Sequence, residues 1–89
     1  MEHLSIKVFG KVQGVFFRKY TREKAVELGL TGWVKNHENG NVIIEVEGDK
    51  AAINSFVEWC KKGPPLAKVS AIEVTKGELK FWKEFVIEQ

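Results

Sequence analysis

Alternating apolar and polar residues predict five β-strands along the chain. The clearest is Leu4–Val8, where every second residue is apolar, the period of two that is typical of a half-buried strand. The same pattern or a short apolar run predicts four more strands, at residues 31–37, 42–47, 69–75 and 85–87. The fourth of these is irregular around Ala71. Asn39-Gly40 separates the second strand from the third and indicates a β-hairpin.

Two other segments have the spacing of amphipathic helices. The first runs from about Phe17 to Leu28, with Lys24 interrupting its apolar arc and Gly29 expected to end it. The second is predicted by a stripe of apolar residues at i, i+3, i+4 and i+7, which are Ile53, Phe56, Val57 and Cys60. We expect Asp49 to cap its start and residues 63–65, Gly-Pro-Pro, to end it.

The order of these elements is β-α-β-β-α-β, followed by a short strand. Two helices are too few to cover both faces of the sheet, so we expect them to pack together on one face. This arrangement is an α+β sandwich of the ferredoxin-like type, with an antiparallel or mixed sheet of four to five strands. We predict the strand order 4-1-3-2 with the fifth strand at an edge. Residues 1–89 are expected to form a single domain without repeats.

The composition and net charge of the chain exclude several classes of function. No apolar run approaches the roughly 20 residues that span a bilayer. The first ten residues lack the pattern of a signal peptide, so we expect a cytosolic protein without membrane partners. The net charge of +2 is too small to indicate nucleic-acid binding through the bulk field. Cys60 is the only cysteine, which excludes an intrachain disulfide. We expect the protein to be a monomer.

Several familiar catalytic arrangements are absent from the sequence. His3 and His37 have no partners at metal-ligand spacing, so we expect neither a metal nor another cofactor. Cys60 belongs to a helical stripe and is interpreted as a core residue. Asp49, the sole aspartate, is already interpreted as a cap, and the 11 glutamates are expected mostly on solvated faces. Any chemistry must therefore proceed without a metal, a nucleophilic triad or an obvious general base.

The first candidate site is the glycine-bearing connection between the first strand and the first helix, at residues 10–18. Such a connection directs free backbone N–H groups and the positive end of a helix toward one point, which favours an anion. Arg18, in the first helical turn, adds a planar cation suited to phosphate oxygens. The alternative is a turn beside an ordinary surface arginine, and the spacing alone leaves both open.

The second candidate is Asn36, near the end of the second strand. Asparagine is depleted in strands, so its presence calls for an explanation. One interpretation is that Asn36 is an early turn residue, although Asn39-Gly40 already supplies the turn. Val34 and Asn36 share one face of the strand, so Asn36 points toward the helices if Val34 does. The pattern does not decide between the two interpretations.

These two segments together resemble the acylphosphatase family. The family signature is glycine-x-valine-glutamine-glycine-valine-x-phenylalanine-arginine, and it is matched here by Gly10-Lys11-Val12-Gln13-Gly14-Val15-Phe16-Phe17-Arg18. A second family motif is matched by Gly32-Trp33-Val34-x-Asn36. The resemblance covers essentially the whole chain and is weakest over residues 76–84. Two motifs at this spacing are far more specific than either one alone.

The resemblance implies an enzyme that hydrolyses acyl phosphates to a carboxylate and inorganic phosphate without a cofactor. It also implies a role for each matching residue. Arg18 would hold the phosphate together with the backbone amides of Gln13, Gly14, Val15, Phe16, Phe17 and Arg18. Asn36 would orient the attacking water.

Two alternatives belong to other classes of function. Hydrogenase maturation proteins contain an acylphosphatase-like domain, which would act here as a binding module and share both motifs. An RNA-binding ferredoxin-like module would use aromatic residues for stacking, with Phe9, Trp33, Phe81 and Trp82 as candidates. Against RNA binding, the third strand has no aromatic residue and carries two acids, Glu45 and Glu47.

Overall fold

The computed structural model describes residues 1–88. Five strands and two helices follow one another along the chain in the expected order. They are β1 (Glu2–Lys11), α1 (Phe17–Glu27), β2 (Thr31–Asn36), β3 (Val42–Gly48), α2 (Lys50–Lys62), β4 (Lys68–Lys76) and β5 (Phe85–Ile87). No helix in the described part of the chain is long and apolar enough to cross a membrane.

The sheet has the order β4-β1-β3-β2-β5, which confirms the predicted order and the edge position of the fifth strand. β1 pairs antiparallel with β3 and with β4, and β2 pairs antiparallel with β3. β5 runs parallel to β2, so the sheet is mixed. With both helices packed on it, the fold is the ferredoxin-like α+β sandwich that the sequence predicts.

The core lies between the helices and one face of the sheet. The inward residues of β1 (Leu4, Ile6 and Val8) are buried, as are Ile53, Phe56 and Cys60 of α2. Val57 of the same stripe is only half-buried. Burial raises the pKa of the Cys60 thiol, because the thiolate would lose its hydration in this core.

The boundaries of several elements differ slightly from the expectation. α1 ends at Glu27, with Leu28 as its C-cap, and β2 ends at Asn36 rather than at His37. Asp49 does occupy the N-cap of α2, but its side chain makes no capping hydrogen bond. The expectation that Asp49 caps the start of α2 is thus confirmed for its position, whereas the side-chain bond that is typical of an aspartate N-cap is absent.

The irregularity around Ala71 comes from a β-bulge. Phe9 pairs with Ala71 but Gly10 pairs with Val69, which leaves Ser70 as an extra residue in β4. Gly10 has φ 123°, and a Cβ atom there would lie 2.2 Å from the backbone oxygen of Lys68. Only glycine fits this position without moving the backbone. The bulge lies opposite the end of β1, just before the connection to α1.

The face of the sheet opposite the helices carries a buried charged cluster. His3 Nδ1 lies 2.7 Å from a carboxylate oxygen of Glu47, and Nε2 lies 2.5 Å from Glu45. The connection from β4 to β5, residues 77–84, covers the cluster, and its Lys80 and Phe81 amides donate to Glu47. Glu47 is 0% exposed, so the expectation that glutamates lie on solvated faces is wrong for it.

The two ring nitrogens of His3 both face carboxylates, and only the imidazolium donates from both nitrogens. Burial lowers the pKa of His3, but the hydrogen bonds to Glu47 and Glu45 outweigh it and raise the pKa above 6.5. Burial raises the pKa of Glu47, but the bonds from His3 and the backbone amides outweigh it and lower the pKa below 4.5. The cluster therefore contributes its full stabilisation of the fold at pH values between 4.5, the ordinary pKa of glutamate, and 6.5, that of histidine.

Above that window His3 deprotonates, so we expect the free energy of unfolding to fall as the pH rises through its raised pKa. Urea unfolding at about pH 6 and about pH 8.5 measures this loss. His3→Gln should show a smaller difference between the two pH values than the parent. Ser5→Ala is the matched control, because it removes a neutral hydroxyl bonded to Glu45 at 2.8 Å. The same pH dependence in His3→Gln as in the parent would contradict the assignment.

Candidate active site

The connection between β1 and α1 exposes a set of unused amide groups. Gly14 (φ 73°) and Phe16 (φ 62°) adopt left-handed backbone conformations on either side of Val15. Alternation of this kind turns successive N–H groups toward one side of the chain. The first helical hydrogen bond runs from the Tyr20 amide to the Phe16 carbonyl. Among the described residues, no hydrogen bond uses the amides of residues 13–18, which leaves them available for an anion.

Gln13 fixes this loop to the neighbouring hairpin. Its side-chain amide donates to the carbonyls of His37 at 2.7 Å and Asn41 at 2.8 Å. Those two carbonyls belong to the connection between β2 and β3, which directly follows Asn36. Gln13 therefore ties the two candidate segments together. The sequence predicts a role only for its backbone amide, because the partners of its side chain lie 24 and 28 residues away.

The structure brings Arg18 and Asn36 together at one cleft of about 360 Å³. Their side chains are both half-buried, and the cleft is also lined by Val12, Gly14, Phe16, Phe17, Lys19 and Ile87. Val34 is fully buried beneath the helices, and Asn36 lies on the same strand face, as the alternation predicts. The interpretation of Asn36 as a turn residue is wrong, because β2 includes it and the turn follows.

Both polar side chains are nearly free of partners within the protein. Arg18 Nη1 makes one long contact of 3.4 Å, with the Glu88 carbonyl, and the Asn36 side chain makes no hydrogen bond among the described residues. The Glu88 amide donates in turn to the Val34 carbonyl at 2.8 Å, so β2 and the end of β5 support the guanidinium. A cation, an amide and free N–H groups thus converge on solvent, which suits a bound oxyanion and a water.

The cleft lacks the usual catalytic acids, bases and nucleophiles. No residue that lines it in the described part of the chain carries a carboxyl, an imidazole or a thiol. Residues 1–88 also contain no group of three or more His, Cys, Asp or Glu side chains placed to hold a metal ion. The groups that do line the cleft can bind and orient an anion and stabilise negative charge.

The fold and this cleft define a small α+β protein with a cleft, lined by Arg18 and Asn36, where its first helix begins. A model of the acylphosphatase family matches residues 4–87, and the chain belongs to this family.

Individual relatives agree with this assignment. An acylphosphatase of Methylococcus capsulatus is 45% identical over 74 residues, which span 83% of this chain and 80% of that protein. The crystal structure of acylphosphatase from Bacillus subtilis is 42% identical, with a TM-score of 0.97 over all of both chains. A crystal structure of full-length HypF matches 99% of this chain with a TM-score of 0.92 at 36% identity, but the match covers only 12% of HypF.

Proposed function

We propose that this chain hydrolyses acyl phosphates to a carboxylate and inorganic phosphate, with the phosphate held by Arg18 and the backbone amides of residues 13–18. The single observation that carries the proposal is the convergence of Arg18 and Asn36 on the cleft beside the free amides. Family membership supports the reaction class, because relatives of similar length are acylphosphatases by name. Release of phosphate from benzoyl phosphate and acetyl phosphate by the purified protein tests it.

The proposed phosphate site combines two kinds of donor. The guanidinium of Arg18 presents a planar fork that matches two phosphate oxygens, and the loop amides meet the remaining oxygens. In phosphoryl transfer, charge on the equatorial oxygens must be stabilised while the attacking and leaving oxygens stay in line. Donors fixed in advance by Gln13 and by the start of α1 do this without reorganising during the reaction.

Asn36 is proposed to place the attacking water. Its side-chain amide has both a donor and an acceptor, and neither has a partner among the described residues. It lies at the end of β2, across the cleft from the start of α1. A water bound there attacks the phosphorus atom, the bond from phosphorus to the acyl oxygen breaks, and the carboxylate leaves.

The reaction needs little help from acids or bases. A carboxylate is a good leaving group because its conjugate acid has a low pKa, so the departing oxygen requires no proton. The proton of the water is proposed to pass to an oxygen of the substrate phosphate, since no carboxyl or imidazole lines the cleft in residues 1–88. Positioning and electrostatic stabilisation then supply the rate enhancement.

We expect activity to survive an excess of chelator. The lining of the cleft offers the substrate an amide and a guanidinium, and the cationic guanidinium repels rather than binds a metal ion. Phosphate release from benzoyl phosphate, measured with and without EDTA, should proceed at the same rate. A large loss of activity that Mg²⁺ or Zn²⁺ restores would overturn this mechanism.

The alternatives are not favoured. The likeness to HypF is compatible with a binding module, but turnover of a simple acyl phosphate by the purified chain would separate the enzyme from that module. Against RNA binding, Glu45 and Glu47 of β3 are occupied with His3, and residues 77–84 cover that part of the sheet. A gel shift at modest salt tests the absence of nucleic-acid binding. The cytosolic location, the monomeric state and the single-domain organisation stay predictions.

A further inference from the structure

The cleft has an apolar side that the proposed phosphate chemistry does not use. Four apolar residues line it, and Val12 and Phe17 are almost fully buried, at 1% and 2% exposed. The accessible apolar surface therefore belongs to Phe16, which is 65% exposed, and to the half-buried Ile87. With a volume of about 360 Å³, the cleft has room for more than a phosphate group, since one water takes about 30 Å³ of the liquid.

Phe16 occupies its position against every local preference. It is the N-cap of α1, where Ser, Thr, Asp, Asn or Gly is favoured, and it makes no side-chain capping bond. Its φ of 62° and ψ of 23° lie in the left-handed region, which disfavours a bulky L-residue. Most of its ring faces solvent instead of the core. Violations of local preference like these concentrate at functional sites.

The second cationic side chain of the cleft lies over an aromatic ring. Lys19 lines the same cleft, but its ammonium lies over the Tyr20 ring, 5.7 Å from the ring centroid. The apolar surface next to the phosphate donors is therefore available to the acyl group of the substrate. An acyl phosphate joins its acyl group directly to the phosphate, so the acyl group must lie close to where the phosphate binds.

We propose that Phe16 is a specificity-determining residue whose ring, together with Ile87, receives the acyl group, so that the enzyme favours acyl phosphates with an aromatic acyl group. This inference rests on the proposed function. An aromatic ring gains from stacking on Phe16 and from burial against Ile87, whereas a methyl group covers little of either surface. The backbone amide of Phe16 serves the phosphate equally for both kinds of substrate.

The test compares benzoyl phosphate with acetyl phosphate through the ratio of their kcat/KM values. The two substrates share the phosphate, so contacts to the phosphate cancel in the ratio. Phe16→Asn keeps the backbone amide and suits a left-handed N-cap. We expect it to lower the ratio about tenfold, as for the loss of one aromatic contact. Phe16→Leu keeps part of the apolar surface and should lower the ratio less.

Phe81 offers a matched control elsewhere in the chain. It is 67% exposed with φ 58°, so Phe81→Asn makes the same chemical change in the same backbone conformation, but Phe81 does not line the cleft. Both Asn variants should unfold at the same or a higher temperature than the parent, and only Phe16→Asn should change the ratio.

Two results would overturn the inference. One is an unchanged ratio in Phe16→Asn, which includes an equal loss of kcat/KM on both substrates. The other is a fall of the ratio in Phe81→Asn that matches the one in Phe16→Asn. In each case a parent that hydrolyses both substrates leaves the proposed function standing. A folded parent that releases phosphate from neither substrate would overturn the proposed function and this inference together.

Discussion

Arg18→Ala is expected to reduce kcat/KM for benzoyl phosphate by at least about 10²-fold, the loss seen when one preorganised donor is removed from a site of developing charge. The guanidinium is the only side-chain fork in the cleft, and its single contact within the described chain is the 3.4 Å one to the Glu88 carbonyl. Its removal therefore takes away substrate binding and costs the fold little. Steady-state kinetics measures the rate loss, and thermal unfolding checks that the variant stays folded.

Two further variants show whether charge or geometry is lost. Arg18→Lys keeps the charge but cannot make the two-pronged contact, so we expect it to restore little of the activity. Arg22→Ala is the matched control one helical turn further along α1, where Nε donates to the Phe85 carbonyl at 3.1 Å outside the cleft. It removes the same charge and should leave kcat/KM close to that of the parent. Full activity in Arg18→Lys would show that a point charge suffices.

Asn36→Ala is expected to lower kcat by a similar factor, about 10²-fold, while KM changes little. An interaction made mainly in the transition state has this signature, because losing it does not weaken binding of the ground state. The side chain has no partner among residues 1–88 and lies at the edge of the core, so the variant should remain folded. Steady-state kinetics separates the two constants.

The matched control for this substitution is Asn54→Ala. Asn54 lies exposed on α2, away from the cleft, so the same chemical change there should leave kcat unchanged. A rise in KM with an unchanged kcat in Asn36→Ala would place Asn36 in substrate binding instead of water placement.

Local patterns were sufficient to predict the architecture and the face of the sheet on which Asn36 lies. Alternation in β1 and β2 decides which residues face the helices, so Val34 correctly predicted the direction of Asn36. Two helices are too few to cover both faces of the sheet, so they were expected on one face, and the strand order was predicted for that packing. The sequence pattern also indicated the position of the bulge, because the extra residue Ser70 disturbs the alternation around Ala71.

Contacts between distant segments could not be predicted in the same way. Glu47 is buried because the register of β1 and β3 places it opposite His3 and because residues 77–84 then cover both. Neither the register nor the path of that connection has a local signature. The bonds from Gln13 to the hairpin carbonyls are equally non-local. Phe16 is a different case, since its left-handed conformation opposes its own preference and only the surrounding structure imposes it.

The proposed roles of Arg18 in phosphate binding and of Asn36 in water placement are tested most directly by calorimetry. Inorganic phosphate is titrated into the parent and the two alanine variants. Phosphate is a product of the reaction and meets the same donors as the substrate, but no water attacks it. We expect Asn36→Ala to bind phosphate nearly as tightly as the parent and Arg18→Ala to bind it at least about tenfold more weakly, a difference of about 1.4 kcal/mol. Loss of phosphate binding in Asn36→Ala, or unchanged binding in Arg18→Ala, would contradict these roles.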